Sequence, residues 1–313
     1  MKVSPLPSKP VRAGRLRVVK GGNSSTSSGR WSRSSSVSCK MNGMPKSKVS
    51  KPSRNSAAIT SPTALLSSLS RADIKQRAEG ELKRVREEMY GIARTVLKDK
   101  PGAPALPETP AADEQQKAIE AALELAYAER PARDKVVPDA EAALAQATEF
   151  VRQHDLVTLP DAPVEIIEMP EFQRGVAVAY ADSPGPLDKG LDTFYAVSPI
   201  PEEWDDKQVD SFLREYNSRM IHLLSIHEGT PGHYLEGWHS AKFPSTLRAV
   251  LRSGMFAEGW AVYTEKMMAD AGYLDNDPLF RLVQLKFYLR AVANSILDQG
   301  VHVDDWSKEQ AMD

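Results

Sequence analysis

Two histidines and a glutamate in the segment IHEGTPGHYLEGW, residues 226–238, are of the types that bind and use a metal ion. His227 and Glu228 begin the H-E-x-x-H pattern of zinc peptidases, in which the second histidine follows four residues after the first, on the same helical face. Here the next histidine is His233, six residues after His227. On an unbroken helix that spacing turns the two rings about 120° apart, so they could not bind one ion.

Pro231 lies between the two histidines and removes this conflict. It has no N–H for a helical hydrogen bond and disfavours α-helical geometry at Thr230. Thr230 is a good N-cap, and Pro231 suits the first position of a new helix. We therefore predict a break or bulge at residues 229–232, after which a second helix begins with His233 in its first turn. Such an irregularity would return His233 to the side of His227.

A third ligand is available in the segment FAEGWAVYTEK, residues 256–266. Glu258 lies 25 residues after His233, and Glu265 follows seven residues later on the same helical face. Three protein ligands leave a fourth position for water, which is typical of catalytic zinc sites. Cys39 is the only cysteine, so a site must use His, Asp or Glu, and nitrogen-rich ligation favours a single Zn²⁺ ion. The alternative is that these groups are ordinary core or solvated pairs.

If the metal is present, Glu228 is placed to act as the general base. It would take a proton from the zinc-bound water and later pass that proton to the leaving amine. The oxyanion that develops on the substrate needs a second donor, for which His302 and Tyr263 are the candidates.

A polar stripe runs along the predicted helix 278–299, where Arg290, Asn294 and Asp298 recur every four residues. One interpretation is a solvated face with helix-supporting pairs. The other is a seam facing a substrate cleft, with Arg290 available for a peptide carboxylate and Asp298 holding His302.

The elements that would position these residues are mainly helical. An apolar stripe at three- and four-residue spacing runs from Ile74 to Val96, and Pro101 ends that helix. Short β-branched or aromatic runs predict a small antiparallel sheet or extended hairpins. The predicted fold is thus mainly α, a metallopeptidase-like cleft domain with a small antiparallel β element. The predicted further helices span 112–129, 139–155, 206–229, 255–271 and 278–299, and the predicted strands span 164–169, 176–181 and 193–197.

Residues 1–72 differ from the rest of the chain in charge and composition. They carry 14 of the 40 Lys and Arg residues and none of the 42 Asp and Glu residues. The segment is rich in serine, and such composition buries too little apolar area to fold, so we predict disorder. It resembles an organelle transit peptide, a basic tail for anionic surfaces, or a stretch foreign to the fold. We favour the last, because the composition changes abruptly at Asp73.

Residues 73–313 are predicted to form one mostly helical, metallohydrolase-like domain. Its acidic balance argues against nucleic-acid binding by the folded part. No apolar run is long enough to span a membrane. The absence of a secretory signal and of disulfides favours a cytoplasmic location. Ser307 and Gln310 form a capping box for a helix that the chain leaves at Asp313, so we expect a C-terminally truncated fragment.

Three ordered blocks of the sequence resemble the bacterial domain-of-unknown-function family DUF885. The blocks are HEGTPGHYLEGW, FAEGWAVYTEKM and LRAVANSILDQGVHVDDWSKEQA. The family resembles mostly helical zinc metallopeptidases of the glutamate-ligand type. The resemblance implies His227, His233 and Glu258 as metal ligands and Glu228 as the base, over roughly residues 73–313.

The expected function is therefore zinc-dependent hydrolysis of a peptide or other small amide substrate. Two alternatives stay open at this stage. One is a helical module that binds peptides or ligands without catalysis. The other is a metallohydrolase that acts on a non-peptide amide or an ester.

Overall fold

The computed structural model describes residues 65–312, apart from 162–163, 175–176, 186, 189 and 244. Most of the predicted disordered segment, up to residue 64, lies outside the described residues. The first helix, α1, spans Arg71–Leu97 and so begins slightly before the predicted boundary at Asp73. Ser70 caps it, because the Ser70 hydroxyl accepts a hydrogen bond from the Asp73 N–H while the Asp73 carboxylate accepts one from the Ser70 N–H.

The structure is mainly α with one small sheet, which confirms the predicted fold class. The capping box of Ser307 and Gln310 is present at the last helix. No helix in the described part of the chain is long and apolar enough to cross a membrane. The elements after α1 are α2 (Ala112–Ala128), α3 (Val136–Gln153), β1 (Glu165–Glu168), β2 (Ala179–Asp182), β3 (Phe194–Val197), α4 (Asp206–Glu215), α5 (Ser218–Leu224), a π-helical turn (Ser225–Gly229), α6 (His233–Ala241), α7 (Thr246–Val250), α8 (Gly254–Asp270), α9 (Pro278–His302) and α10 (Lys308–Met312).

The sheet is mixed, so the prediction of an antiparallel sheet is only partly right. Its strand order is β1-β3-β2, with β2 antiparallel and β1 parallel to β3. The chain reverses direction after β1 and again after β2. The two reversals give β3 the same direction as β1. Because β3 lies between the other two strands, it pairs with β1 in parallel. The run of apolar residues predicts that a strand forms, but it does not specify which strand takes the central position.

Two helix boundaries also differ from the prediction. Pro138 lies inside the first turn of α3 rather than in the preceding linker, because the first N–H groups of a helix need no helical acceptor. The predicted helix 206–229 is interrupted after α4. There the Asn217 side chain accepts hydrogen bonds from the Arg219 and Met220 N–H groups and starts α5 as a new helix.

The π-helical turn that carries His227 packs into the apolar core through Ile226. One apolar cluster joins α1, α2 and α9, and a second joins α3, α4 and the sheet. A third includes Leu223 and Ile226, both fully buried, and packs them against residues of α3, α8 and α9. Each such aliphatic side chain contributes roughly 1.5–3 kcal/mol by leaving water. The histidine segment is therefore held by packing on several sides.

Candidate metal site

The predicted irregularity between the two histidines is present, and it begins earlier than predicted. Residues Ser225–Gly229 form a single π-helical turn, in which the Thr230 N–H donates to the Ser225 carbonyl over 3.2 Å. A π turn holds one more residue than an α turn, so it rotates the residues that follow it. The predicted N-cap at Thr230 and helix start at Pro231 are wrong, because the helix α6 begins at His233 and Gly232 is the residue before it.

Gly232 allows the chain to fold back onto the π turn. Its N–H donates to the Ile226 carbonyl over 2.9 Å. A Cβ atom at this position would lie 1.9 Å from the His227 carbonyl oxygen and 2.3 Å from that of Ile226. Only glycine fits this approach. The consequence is that the His227 and His233 rings meet, with their centroids 4.8 Å apart and their planes nearly perpendicular.

Helix α8 brings the third predicted ligand to this pair. The Trp260 indole N–H donates to the Pro231 carbonyl over 2.9 Å and fixes α8 against the turn. Glu258, two residues earlier, places its Oε2 3.9 Å from His227 Nε2 and 3.6 Å from His233 Nε2. Contact with His233 holds the pKa of Glu258 below its usual range, although burial opposes this.

The three ligand atoms fit a small divalent ion. Ligand atoms of His227, His233 and Glu258 lie within 4.8 Å of one another. Tetrahedral zinc with bonds of about 2.0–2.1 Å separates its ligands by about 3.3 Å. The Glu258 side chain is 70% exposed and free to adjust by such an amount. The donor set of two imidazoles and one carboxylate is a common one for catalytic zinc.

On its other side, His227 contacts a fully buried carboxylate. Its Nδ1 lies 2.6 Å from Glu265 Oε1. Burial lowers the pKa of His227, but the hydrogen bond that its ring donates to Glu265 and the carboxylates of Glu228 and Glu258 outweigh it, so the pKa is raised. Burial raises the pKa of Glu265, while contacts with His227 and Gln284 oppose that rise. The carboxylates around His227 thus favour positive charge at this position.

Glu228 lies beside the ligands and is held by the sheet. Its Oε2 accepts a hydrogen bond from the backbone N–H of Ala181 in β2, over 3.1 Å. Burial raises the pKa of Glu228, while His227 and His233 act against the rise. A carboxyl group with a raised pKa is suited to taking up and returning a proton near neutral pH.

The other predicted site residues lie on the exposed parts of α8 and α9. The Arg290 guanidinium lies 5.1 Å from the centre of the Phe287 ring, and that ring lies 6.0 Å from the His227 ring. Tyr263 is 56% exposed on α8. His302 and Asp298 are both exposed, and their side chains approach each other to 3.8 Å.

Sequence reasoning missed three contacts of this site. It placed Glu265 on the ligand face but did not identify it as the partner of His227. Ala181 acts through its backbone N–H, which no pattern of side chains reveals. Gln284 is 2% exposed within the apolar face of α9, and a buried amide in such a face was a signal that could have been used.

Comparisons with known proteins agree with this architecture. The family model described as "Bacterial protein of unknown function (DUF885)" matches residues 58–313. No curated protein matches the chain.

Two solved structures are similar to the chain. "The structure of a putative lipoprotein of unknown function from Shewanella oneidensis" is 30% identical with a TM-score of 0.71, and the match covers 82% of this chain and 44% of that one. "The crystal structure of the putative lipoprotein from Colwellia psychrerythraea" is 21% identical with a TM-score of 0.63, covering 83% and 41%. The second likeness concerns the fold alone. The chain spans less than half the length of either.

Proposed function

We propose that this chain, which belongs to the DUF885 family of bacterial proteins, is a zinc-dependent hydrolase of peptide bonds. The observation that carries the proposal is the convergence of His227, His233 and Glu258, with the Glu228 carboxyl held beside them. Three converging ligands with an adjacent, separately held carboxyl group form the usual arrangement of a metallopeptidase centre.

The chemistry divides between the metal and the protein. When bound, a divalent ion activates water and polarises the scissile carbonyl. Glu228 accepts the proton released from the water and returns it to the leaving amine. The hydrogen bond from Ala181 to one carboxylate oxygen leaves the other free for this transfer. Burial, which raises the pKa of Glu228, brings it closer to the working range of such a base.

Strand β2 supports an extended peptide as the substrate. The Val178 carbonyl accepts a hydrogen bond from Ser198, next to β3, and therefore faces inward. Backbone groups alternate along a strand, so Ala179 and Ala181 face the outer edge. The Ala181 N–H reaches Glu228 from that edge. An extended peptide added along β2 would pass its backbone in front of the base.

Arg290 supports recognition of a free carboxylate. The Phe287 ring contacts both the Arg290 guanidinium and the His227 ring, so the positive charge of Arg290 lies near the candidate metal ligands. A guanidinium can bind a carboxylate through two parallel hydrogen bonds. We therefore infer that the C-terminal carboxylate of a short peptide binds here. Tyr263 and His302 remain the two candidates for the oxyanion donor, and comparing cleavage by Tyr263→Phe and His302→Gln separates them.

The first test is metal content measured by elemental analysis. We expect one zinc per wild-type chain and its loss in His233→Ala. His239→Ala is the matched control, because His239 lies on the same helix but bonds the Thr158 carbonyl instead. It should retain zinc. Absence of zinc from wild type, or retention in His233→Ala, would remove the metal site.

The second test separates metal binding from chemistry. Glu228→Gln should keep its zinc and lose peptide cleavage by about 10²–10⁴-fold. Cleavage that survives this substitution, or survives a chelator, would contradict the assigned mechanism. A zinc-loaded chain that cleaves esters but no peptides would favour a non-peptide hydrolase. If the chain binds peptides equally well with and without a chelator and does not cleave them, it is a binding module.

A further inference from the structure

On the Nδ1 side of His227, two polar side chains, Glu265 and Gln284, are buried where apolar side chains would normally pack. Glu265 on α8 is fully buried, and Gln284 on α9 is 2% exposed. The Gln284 side chain adjoins the Glu265 carboxylate. An unpaired polar group in such a place costs roughly 1–3 kcal/mol, so its retention needs a reason.

The pair has one visible hydrogen-bond mismatch. Glu265 Oε1 contacts His227 Nδ1, but in the described part of the chain Glu265 Oε2 and Gln284 Oε1 both lack a partner. Both atoms are acceptors, so neither can satisfy the other. A half-turn of the Gln284 amide exchanges its oxygen with its NH₂ group. In that orientation the NH₂ group becomes a candidate donor for Glu265 Oε2.

We propose that Gln284 is a positioning residue, which donates to Glu265 and through it fixes the tautomer of His227. With both carboxylate oxygens accepting hydrogen bonds, Glu265 stays oriented toward His227 Nδ1. His227 then carries its N–H on Nδ1 and keeps the lone pair on Nε2, the atom that faces His233 and Glu258.

This arrangement deepens the proposed function and rests on it for its purpose, because a fixed Nε2 lone pair matters where a metal binds. Hydrogen-bond partners behind a ligating histidine typically contribute 10–100-fold to metal affinity. A ring held only by packing would exchange between its two neutral tautomers. In one of them Nε2 carries a proton and cannot bind an ion.

The test uses one substitution at two positions of α9. Gln284→Met keeps the approximate volume and removes the amide. Gln299→Met is the control, since the Gln299 amide bonds only its own helix, at the Ser295 carbonyl. Zinc affinity is measured by competition with a chromophoric chelator. We expect a 10–100-fold loss in Gln284→Met and less than a threefold change in Gln299→Met.

A second readout reports the tautomer without any metal. In the ¹⁵N-histidine-labelled, metal-free chain, at a pH above the raised pKa of His227, the ring should show N–H on Nδ1 and a lone pair on Nε2. Gln284→Met should shift these signals toward a mixture of tautomers. Glu265→Gln serves as a second variant if Gln284→Met unfolds, and thermal unfolding of each metal-free variant reports its folding.

The outcomes separate the two proposals. Zinc absent from wild type would overturn the proposed function, while the metal-free tautomer would still decide the role of Gln284. Wild-type zinc with unchanged affinity and unchanged His227 signals in Gln284→Met would overturn the positioning role alone. Lower affinity with an unchanged tautomer would also overturn it, since the loss would then come from packing.

Discussion

The groups on the two sides of the His227 ring differ in how deeply they are buried and in how freely they can move. Behind the ring, Glu265 is fully enclosed by helices. In front of it, the Glu258 side chain is 70% exposed, and Arg290 lies on the solvent-accessible part of α9. The buried side can fix geometry because its groups have few alternatives. The exposed side can exchange metal, water and substrate. Changes behind the ring should therefore alter structure first, and changes in front should alter binding first.

The sharpest test of that contrast concerns Gly232, the buried glycine that packs against the His227 backbone. Gly232→Ala places a methyl group 1.9 Å from the His227 carbonyl oxygen, so the backbone must move. We expect a loss of at least about 3 kcal/mol in the free energy of unfolding, together with loss of zinc binding. Chemical denaturation and metal analysis measure the two effects.

Gly237→Ala is the matched control within α6, because nothing lies within 4 Å of its added methyl group. Alanine is the better helix former by about 0.5–1 kcal/mol, so this variant should be slightly more stable and should bind zinc. Equal stability of the two alanine variants would contradict the close approach at Gly232.

On the exposed side of the ring, removal of a candidate ligand should lower zinc affinity and leave the stability of the metal-free chain nearly unchanged. Glu258→Gln replaces an exposed carboxylate, so the unfolding free energy of the metal-free chain should change by less than about 0.5 kcal/mol. Zinc affinity should fall by at least about 10²-fold, since one of three ligands is lost. Titration with a competing chelator measures the affinity. A destabilised metal-free chain with unchanged zinc affinity would reverse our assignment of the two sides.

The same contrast explains how much the sequence could predict. The convergence of the three candidate ligands could be predicted because each is a side chain of a distinctive type, and Pro231 marks a break by removing an N–H. The π turn was not accessible in detail, since it depends on the Gly232 approach to two carbonyl oxygens. Sequence spacing specifies which residues can share a helical face, but not how the backbone crosses itself.

The remaining errors have related causes. The sheet was predicted as antiparallel because local patterns do not encode strand order, and β3 takes the centre only in the folded chain. The role of Ala181 depends on a backbone N–H that every residue except proline carries. Gln284 was overlooked because an amide within an apolar stripe does not alter the stripe. In each case the missing information lies in contacts between distant segments.

Behind the site, His222 allows a test by pH. Burial, assisted by Arg219, lowers its pKa to about 4, and its Nδ1 lies 2.9 Å from the Tyr273 hydroxyl. The unfolded chain binds this proton below about pH 6.5 but the folded chain only below about pH 4. Its stabilising contribution is therefore complete above pH 6.5 and is lost as the pH falls toward 4.

The expected loss from His222 is roughly 3 kcal/mol between pH 7 and pH 4, because its folded and unfolded pKa values differ by about 2.5 and each unit corresponds to about 1.4 kcal/mol. Chemical denaturation across that range should give a flatter curve for His222→Gln, which cannot titrate. His239→Gln, on the exposed side of α6, is the control for the exchange of a histidine for a glutamine. A wild-type slope in His222→Gln would show that other groups dominate the pH dependence.

The smallest effects on the free energy of unfolding are expected at the two ends of α9, where the same change from aspartate to asparagine can be made at Asp277 and at Asp298. Asp277 pairs with Arg219 at 2.6 Å and also caps the helix. Asparagine caps about as well as aspartate, so Asp277→Asn removes mainly the charge, from a pair whose arginine is 11% exposed. We expect a loss of about 1–2 kcal/mol.

Asp298→Asn makes the same change at the exposed end, where the carboxylate approaches His302 only to 3.8 Å. Exposed pairs of this kind contribute little, so the unfolding free energy should change by less than about 0.5 kcal/mol. If Asp298 nevertheless orients His302 for catalysis, cleavage should fall while stability stays constant. A loss of stability equal to that of Asp277→Asn would instead mean that this end of α9 is held as firmly as the buried end, and the contrast between the two sides would not extend along the helix.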